Sequence, residues 1–138
     1  MMVRKDYKPS ENEQYMNSLH LEYFKQRLLQ WRQELQEEIN RASTLLKESH
    51  SNSGLDLADC ASEALYIGLE LRTQERCKKL ILKIDEALER IRKKAFGYCV
   101  ITNKPIGLKR LEARPIALFC IDEQEEHEAF EKNHNDES

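Results

Sequence analysis

Apolar residues recur at steps of three and four over two long stretches of the chain. Leu21, Phe24, Leu28, Trp31, Leu35, Ala42 and Leu45 form the first stripe, and Leu65, Leu69, Leu80, Ile84, Leu88 and Ile91 form the second. That spacing marks one face of an α-helix. Two such stripes around a turn predict an antiparallel coiled-coil hairpin, each arm burying its seam on the other. The turn is Ser51-Asn52-Ser53-Gly54, where Gly54 supplies backbone freedom that a helix does not use. Asp56 or Asp59 is placed to cap the returning helix through a side-chain oxygen. Arms of about 30–35 residues put the tip roughly 45–50 Å from the base. One interval breaks the pattern. Between Arg72 and Lys79 only Cys77 is apolar, so the seam is weak there or that stretch faces a partner.

Outside the hairpin the pattern changes. Residues 1–15 are polar and mixed, with Pro9 opposing an early helix, and read as a loose arm. Helical periodicity starts near residues 16–19, with Asn17 or Ser18 as N-cap, and the return helix runs to Lys94 or Ala95. Phe96-Gly97-Tyr98-Cys99 and Asn103-Lys104-Pro105-Ile106-Gly107 predict a short two-turn knuckle. Arg114-Pro115 disfavours helix at that point. A last helix is predicted from Cys120 to about Lys132, with Asp122 as cap. The expected domains are an N-terminal arm over 1–18, the hairpin over 19–95 with its tip at 51–61, and the knuckle with a C-terminal helix over 96–138. The fold class is mostly α: a long hairpin on a small globular base.

Composition narrows the function classes. Four glycines and three prolines among 138 residues favour long helices. A formal net charge of -3 argues against a protein that coats nucleic acid. The charge is nonetheless uneven: residues 72–94 are mostly basic, and residues 121–138 are acidic with only Lys132 opposing. No apolar run has the length of a membrane span and no signal peptide opens the chain, so a soluble cytoplasmic protein is expected. Its cysteines are then thiols or metal ligands rather than structural disulfides.

Cys99 and Thr102, then 17 residues, then Cys120 and Glu123, have the spacing of a four-ligand zinc site with two ligands replaced. Threonine is a very poor zinc ligand and carboxylate a harder one than thiolate, so no metal is expected. The plainer reading makes both cysteines small buried residues of a self-packed knuckle. Cys60 and Cys77 lie on the return helix, too far away to complete the site. The tip acids Asp56 and Asp59 serve as caps, or reach a metal or basic surface on a partner, or divide the two tasks between them. The basic stretch reads as a solvated face with pairs such as Glu75 to Lys79. Alternatively, Lys83 and the run from Arg110 to Arg114 supply a phosphate pocket. The four histidines are scattered, and the sequence shows no nucleophile with its base, no Gly-rich phosphate loop and no base-stacking patch.

Several motifs together resemble one family. Asp56-Leu-Ala-Asp59-Cys-Ala61 matches its Asp-x-x-Asp-x-Ala tip, and Phe96-Gly-Tyr-Cys99 matches the entry to its zinc knuckle. Arg110-Leu-Glu-Ala-Arg114-Pro with Cys120-Ile-Asp matches the exit, and Tyr15-Met-Asn and Leu69-Glu-Leu-Arg72 also agree. Over nearly its whole length the chain resembles the DksA/TraR family. The resemblance implies a monomeric, non-enzymatic transcription factor that binds bacterial RNA polymerase rather than DNA or membrane. Its hairpin would enter the polymerase secondary channel and make initiation sensitive to guanosine tetraphosphate in the stringent response. By motif match, Asp56, Asp59 and Ala61 are the tip determinants and Arg72 and Arg76 the polymerase-binding arm. Leu80, Lys83 and Arg114 fall at the nucleotide positions.

Two departures stand out. The degenerate site of Cys99, Thr102, Cys120 and Glu123 implies a zinc-independent member. Gln124 replaces a basic residue, which weakens a phosphate contact by about 1–2 kcal/mol. Two other readings use the same hairpin: a transcript-cleavage factor whose tip acids hold a second catalytic metal, or a coiled-coil adaptor indifferent to its tip sequence.

Overall fold

The computed structural model describes residues 7–50, 57–120 and 128–130. Three helices are named within them: α1 (Ser18–His50), α2 (Leu57–Arg92) and α3 (Leu108–Ala113). The described residues contain no strand, only an isolated antiparallel bridge between Tyr98 and Pro105. Gly54, Asp56 and the proposed tip turn lie outside the described residues, as does most of the helix expected after Cys120. Residues 128–130 are helical.

The start of α1 follows from its cap. Asn17 Oδ1 accepts the His20 backbone N–H at 2.9 Å, satisfying a donor that the first turn cannot use internally. The end of α2 is closed by the backbone: Lys94 turns left-handed with φ 61°, and Ala95 N–H reaches back to the Arg90 carbonyl at 2.8 Å. By contacts the chain divides into two compact units, residues 29–86 and residues 1–28 with 87–138.

In the 29–86 unit α1 and α2 run antiparallel. Arg32 meets Asp85 at 2.8 Å, and further along α1 Ser43 meets Gln74 further back on α2, at 2.6 Å. Leu35, Ile39 and Ala42 are buried on one helix, and Cys77, Ile81 and Ile84 on the other. The α2 seam is out of phase with the leucine stripe expected from sequence. Alternating steps of three and four carry the seam back from Ile84 through Ile81 and Cys77, all buried, to Gln74, Glu70 and Ile67, which are half-buried. Leu65 and Leu69 therefore face outward, 67% and 51% exposed. The apolar gap is bridged by hydrogen bonds: Gln74 Nε2 donates to Ser43 Oγ and to the Ile39 carbonyl. Burial pushes the neighbouring Cys77 thiol upward in pKa, as does its hydrogen bond to Glu38. The expected Glu75–Lys79 pair does not form; among the described residues Glu89 pairs with Arg92 on α2 and with Lys93 just beyond its end.

In the other unit, Phe24 is fully buried, with Tyr23 at 5.2 Å and Phe96 at 5.5 Å between ring centroids. The loose arm expected over 1–15 is tied down where it is described, from residue 7. Tyr15 Oη donates to the Gly97 carbonyl at 2.6 Å and accepts the Gly107 N–H at 3.0 Å. Gly97, at φ 92°, lets Met16 lie across it: a Cβ there would stand 2.6 Å from the Met16 sulfur. Buried His20 accepts the Met16 N–H on Nδ1 and meets Glu13 Oε2 at 3.2 Å.

The Ser10 N–H above all, then the Tyr7 hydroxyl and His20, hold the Glu13 carboxyl below its ordinary pKa. Burial together with Glu13 raises Tyr7 to about 12. A carboxyl with a depressed folded-state pKa contributes stability above its unfolded pKa of about 4.3, and that contribution is lost as pH falls through the folded value. Glu13→Gln should therefore melt lower than the unsubstituted protein near pH 7. Melting curves recorded down to strong acid should converge as Glu13 itself protonates; a pH-independent difference would assign the loss to packing.

Candidate functional site

Two features carry chemistry: one long face of α2, and the cysteine knuckle. The face follows from the phase of the seam. Leu65, Leu69, Arg72, Arg76, Lys79 and Lys83 follow one another at steps of four and three on the side of α2 away from Ile67, Gln74 and Ile81. All six are exposed. None of the four cations enters an ion pair among the described residues. The face thus offers an apolar patch followed by four unneutralised charges over about 27 Å of helix. The sequence reading assigned Arg72, Arg76 and Lys83 to function but placed Leu65 and Leu69 in the seam. The signal that would have separated them is the strict four-three alternation back from Ile84.

Asp59 and Ala61 are the third and fifth residues of α2, and Ala61 is exposed. Asp56 lies outside the described residues. Leu80, half-buried, and Lys83 share one turn of α2. Arg114 follows α3, exposed, in the extended conformation that Pro115 favours (φ -144°). Arg110 is occupied structurally: its Nε donates to the Phe119 carbonyl at 3.1 Å. The sequence reading missed the link from α1 to α3. Arg27 Nη1 donates to Glu112 Oε2 at 2.8 Å and to the Glu112 carbonyl, and the Tyr23 hydroxyl donates to the same carboxylate. These partners are 85 and 89 residues apart, so no local pattern announces them.

In the knuckle the backbone folds tightly on itself. Cys99 N–H donates to the Lys104 carbonyl at 2.8 Å, Asn103 N–H to the Cys99 carbonyl, and Val100 N–H to the Leu118 carbonyl at 2.9 Å. The last of these draws the chain just before Cys120 to the chain just after Cys99. Both thiols are buried and free. Thr102 Oγ1 lies 3.8 Å from Cys120 Sγ. Burial works to raise the Cys99 pKa, but the Thr102 hydroxyl and the N–H groups of Cys120, Thr102 and Ile101 outweigh it and hold the thiol at about 6. Glu123 and Gln124 lie outside the described residues. Among the described residues no three histidine, cysteine or acidic side chains converge as a metal site.

The architecture so defined is a coiled-coil hairpin protein with a two-cysteine knuckle. Residues 20–91 match the family described as the DnaK suppressor protein DksA N-terminal domain, and residues 94–129 match the prokaryotic dksA/traR C4-type zinc finger. The chain belongs to the DksA/TraR family. It is 49% identical over 137 residues to the RNA polymerase-binding transcription factor DksA of Caulobacter vibrioides, covering 99% of this chain and 95% of that one. It is 39% identical over 116 residues to the factor of the same name from Escherichia coli K12, covering 84% and 76% respectively. Transcription factor DksA2 from Pseudomonas aeruginosa superposes with a TM-score of 0.77 at 42% identity, over 86% of this chain and 90% of its own.

Proposed function

We propose that this protein is a non-enzymatic regulator of transcription that binds RNA polymerase through the exposed face of α2. The observation that carries the reading is that face itself: Leu65, Leu69, Arg72, Arg76, Lys79 and Lys83 are all exposed, and none of the four cations forms an ion pair among the described residues. Relatives named as RNA polymerase-binding factors support the choice of partner. An apolar patch beside unpaired cations suits an acidic protein surface with an apolar margin, where charge sets encounter rate and register and the leucines add buried area. Asp56, Asp59 and Ala61 would then be carried into the polymerase secondary channel. Arg72→Glu/Arg76→Glu should weaken polymerase binding by about tenfold or more, with a reduced salt dependence and an unchanged melt. Binding that survives the double reversal would move the interface to another face.

Guanosine tetraphosphate is the proposed effector, at Leu80, Lys83 and Arg114. The lysine and arginine would supply charge to phosphate, and Gln124 would lower the synergy. A cytoplasmic monomer is the corresponding state; among the described residues no helix is long and apolar enough to cross a membrane.

Zinc is a poor fit to this knuckle. A closed zinc site takes four thiolate, imidazole or carboxylate donors. Here an alcohol stands at one position, with its hydroxyl 3.8 Å from the Cys120 sulfur. We expect less than about a tenth of an equivalent of bound zinc and a melt unaffected by a strong chelator, since structural zinc supplies folding energy that chelation would remove. Near one equivalent, with melting lost on chelation, would refute zinc independence and leave the polymerase reading standing.

A further inference from the structure

We propose that Arg27 is a positioning residue for Arg114: it fixes the end of α3 from which Arg114 reaches a phosphate of the effector. The inference rests on the nucleotide reading above and adds to it a residue that no local pattern marks. It starts from α3, which is 6 residues long. A helix so short does not hold itself, and no side-chain hydrogen bond caps its start. Its attachments are external. Leu108 and Leu111 are buried beneath it, and the Tyr15 hydroxyl accepts the N–H of Gly107 just before it.

The other end is held by Arg27. The last carbonyls of a helix lack partners within it. Arg27 Nη1 donates to the Glu112 carbonyl at 2.9 Å and to the Glu112 carboxylate at 2.8 Å, and that carboxylate also accepts the Tyr23 hydroxyl at 3.1 Å. The guanidinium lies 5.9 Å from the centroid of the Tyr23 ring, which steadies it on α1. Arg114 stands just beyond this clamp. Its N–H donates to the Arg110 carbonyl at 2.8 Å, its carbonyl accepts the Ala117 N–H at 3.0 Å, and Pro115 and Ile116 after it are buried. The backbone of Arg114 is thus set by the end of α3, and that end is set by Arg27. The Arg114 side chain is exposed and enters no ion pair among the described residues, so its charge is free for a phosphate. The Arg27 and Glu112 side chains are 37% and 39% exposed, where an ion pair adds little stability. The worth of the contact is therefore geometric.

The test titrates guanosine tetraphosphate into initiation complexes of RNA polymerase with the full chain or its variants. Arg27→Met should raise the half-maximal nucleotide concentration by about tenfold, as expected for a residue that acts without touching the ligand. Polymerase binding without nucleotide should stay within about twofold, and the melt should move by no more than about 4 °C. Arg114→Ala should weaken the nucleotide response at least as much. Arg27→Met/Arg114→Ala should then be no worse than Arg114→Ala alone, because the first residue acts through the second. Additive losses, or an unchanged response in Arg27→Met beside a weakened one in Arg114→Ala, would overturn the positioning role and leave the nucleotide reading standing. Arg114→Ala without effect would overturn the nucleotide reading and this inference with it. Should Arg27→Met fail to fold, Glu112→Gln, which keeps the volume and the carbonyl contact, should show a loss of about threefold in the same direction. No loss there would equally overturn the role.

Discussion

Asp59→Asn is expected to abolish most of the effect on transcription initiation while leaving the molecule folded and bound. Asp59 is the third residue of α2. There a carboxylate interacts favourably with the positive end of the helix by about 0.3–1 kcal/mol, and asparagine keeps the size while removing the charge. The stability cost is thus below about 1 kcal/mol, and the exposed face from Leu65 to Lys83 is untouched. In an occluded protein channel a charge-assisted contact is worth about 1.5–3 kcal/mol, or a tenfold or larger loss of regulation. Run-off transcription from a responsive promoter, beside a polymerase-binding assay and a melt of the same preparation, separates the two roles. A protein that unfolds, with regulation per folded molecule unchanged, would reduce Asp59 to a helix-end residue. Cleavage of backtracked transcripts stimulated by the unsubstituted protein would instead place it among cleavage factors.

The largest stability effect is expected from Phe24→Ala. The ring is fully buried and wedged between Tyr23 and Phe96. Its removal loses transfer free energy and leaves a cavity, costing about 3–5 kcal/mol. For a chain of 138 residues that is a substantial part of a typical total stability of about 5–15 kcal/mol. Chemical denaturation should show the midpoint fall at constant slope. Leu65→Ala gives the contrasting result: at 67% exposure its melt should move by no more than about 0.5 kcal/mol, while polymerase binding weakens. If Leu65→Ala destabilised the fold like a core substitution, the outward phase assigned to α2 would be wrong.

The two long helices were legible because periodicity over some thirty residues is a strong signal and caps are local. Asn17 caps α1 as its sequence position suggests. The phase of α2 was less legible. Its seam runs through Glu70 and Gln74, polar residues that a hydrophobic count skips, while Leu65 and Leu69 draw the eye to the wrong face. Once Gln74 is seen to bond Ser43, the apolar gap becomes an ordinary polar seam position. The N-terminal segment was unreadable for a different reason. Tyr15 is fixed by Gly97 and Gly107, 82 and 92 residues away, and such contacts leave no trace in local composition. The knuckle was legible as a cysteine spacing, but not the detail that the Thr102 hydroxyl lies against the Cys120 sulfur.

The central claim is that α2 delivers its first turn to the interior of RNA polymerase. Cys60 allows a direct measurement, because it is the exposed thiol and Cys77, Cys99 and Cys120 are buried. An iron chelate attached to Cys60 generates hydroxyl radicals that cut polypeptide nearby. With polymerase bound, cuts should fall in the segments lining the secondary channel and the catalytic centre, and they should disappear with Arg72→Glu/Arg76→Glu. Cuts confined to the outer surface of the polymerase, or none in a complex shown to form, would contradict the account.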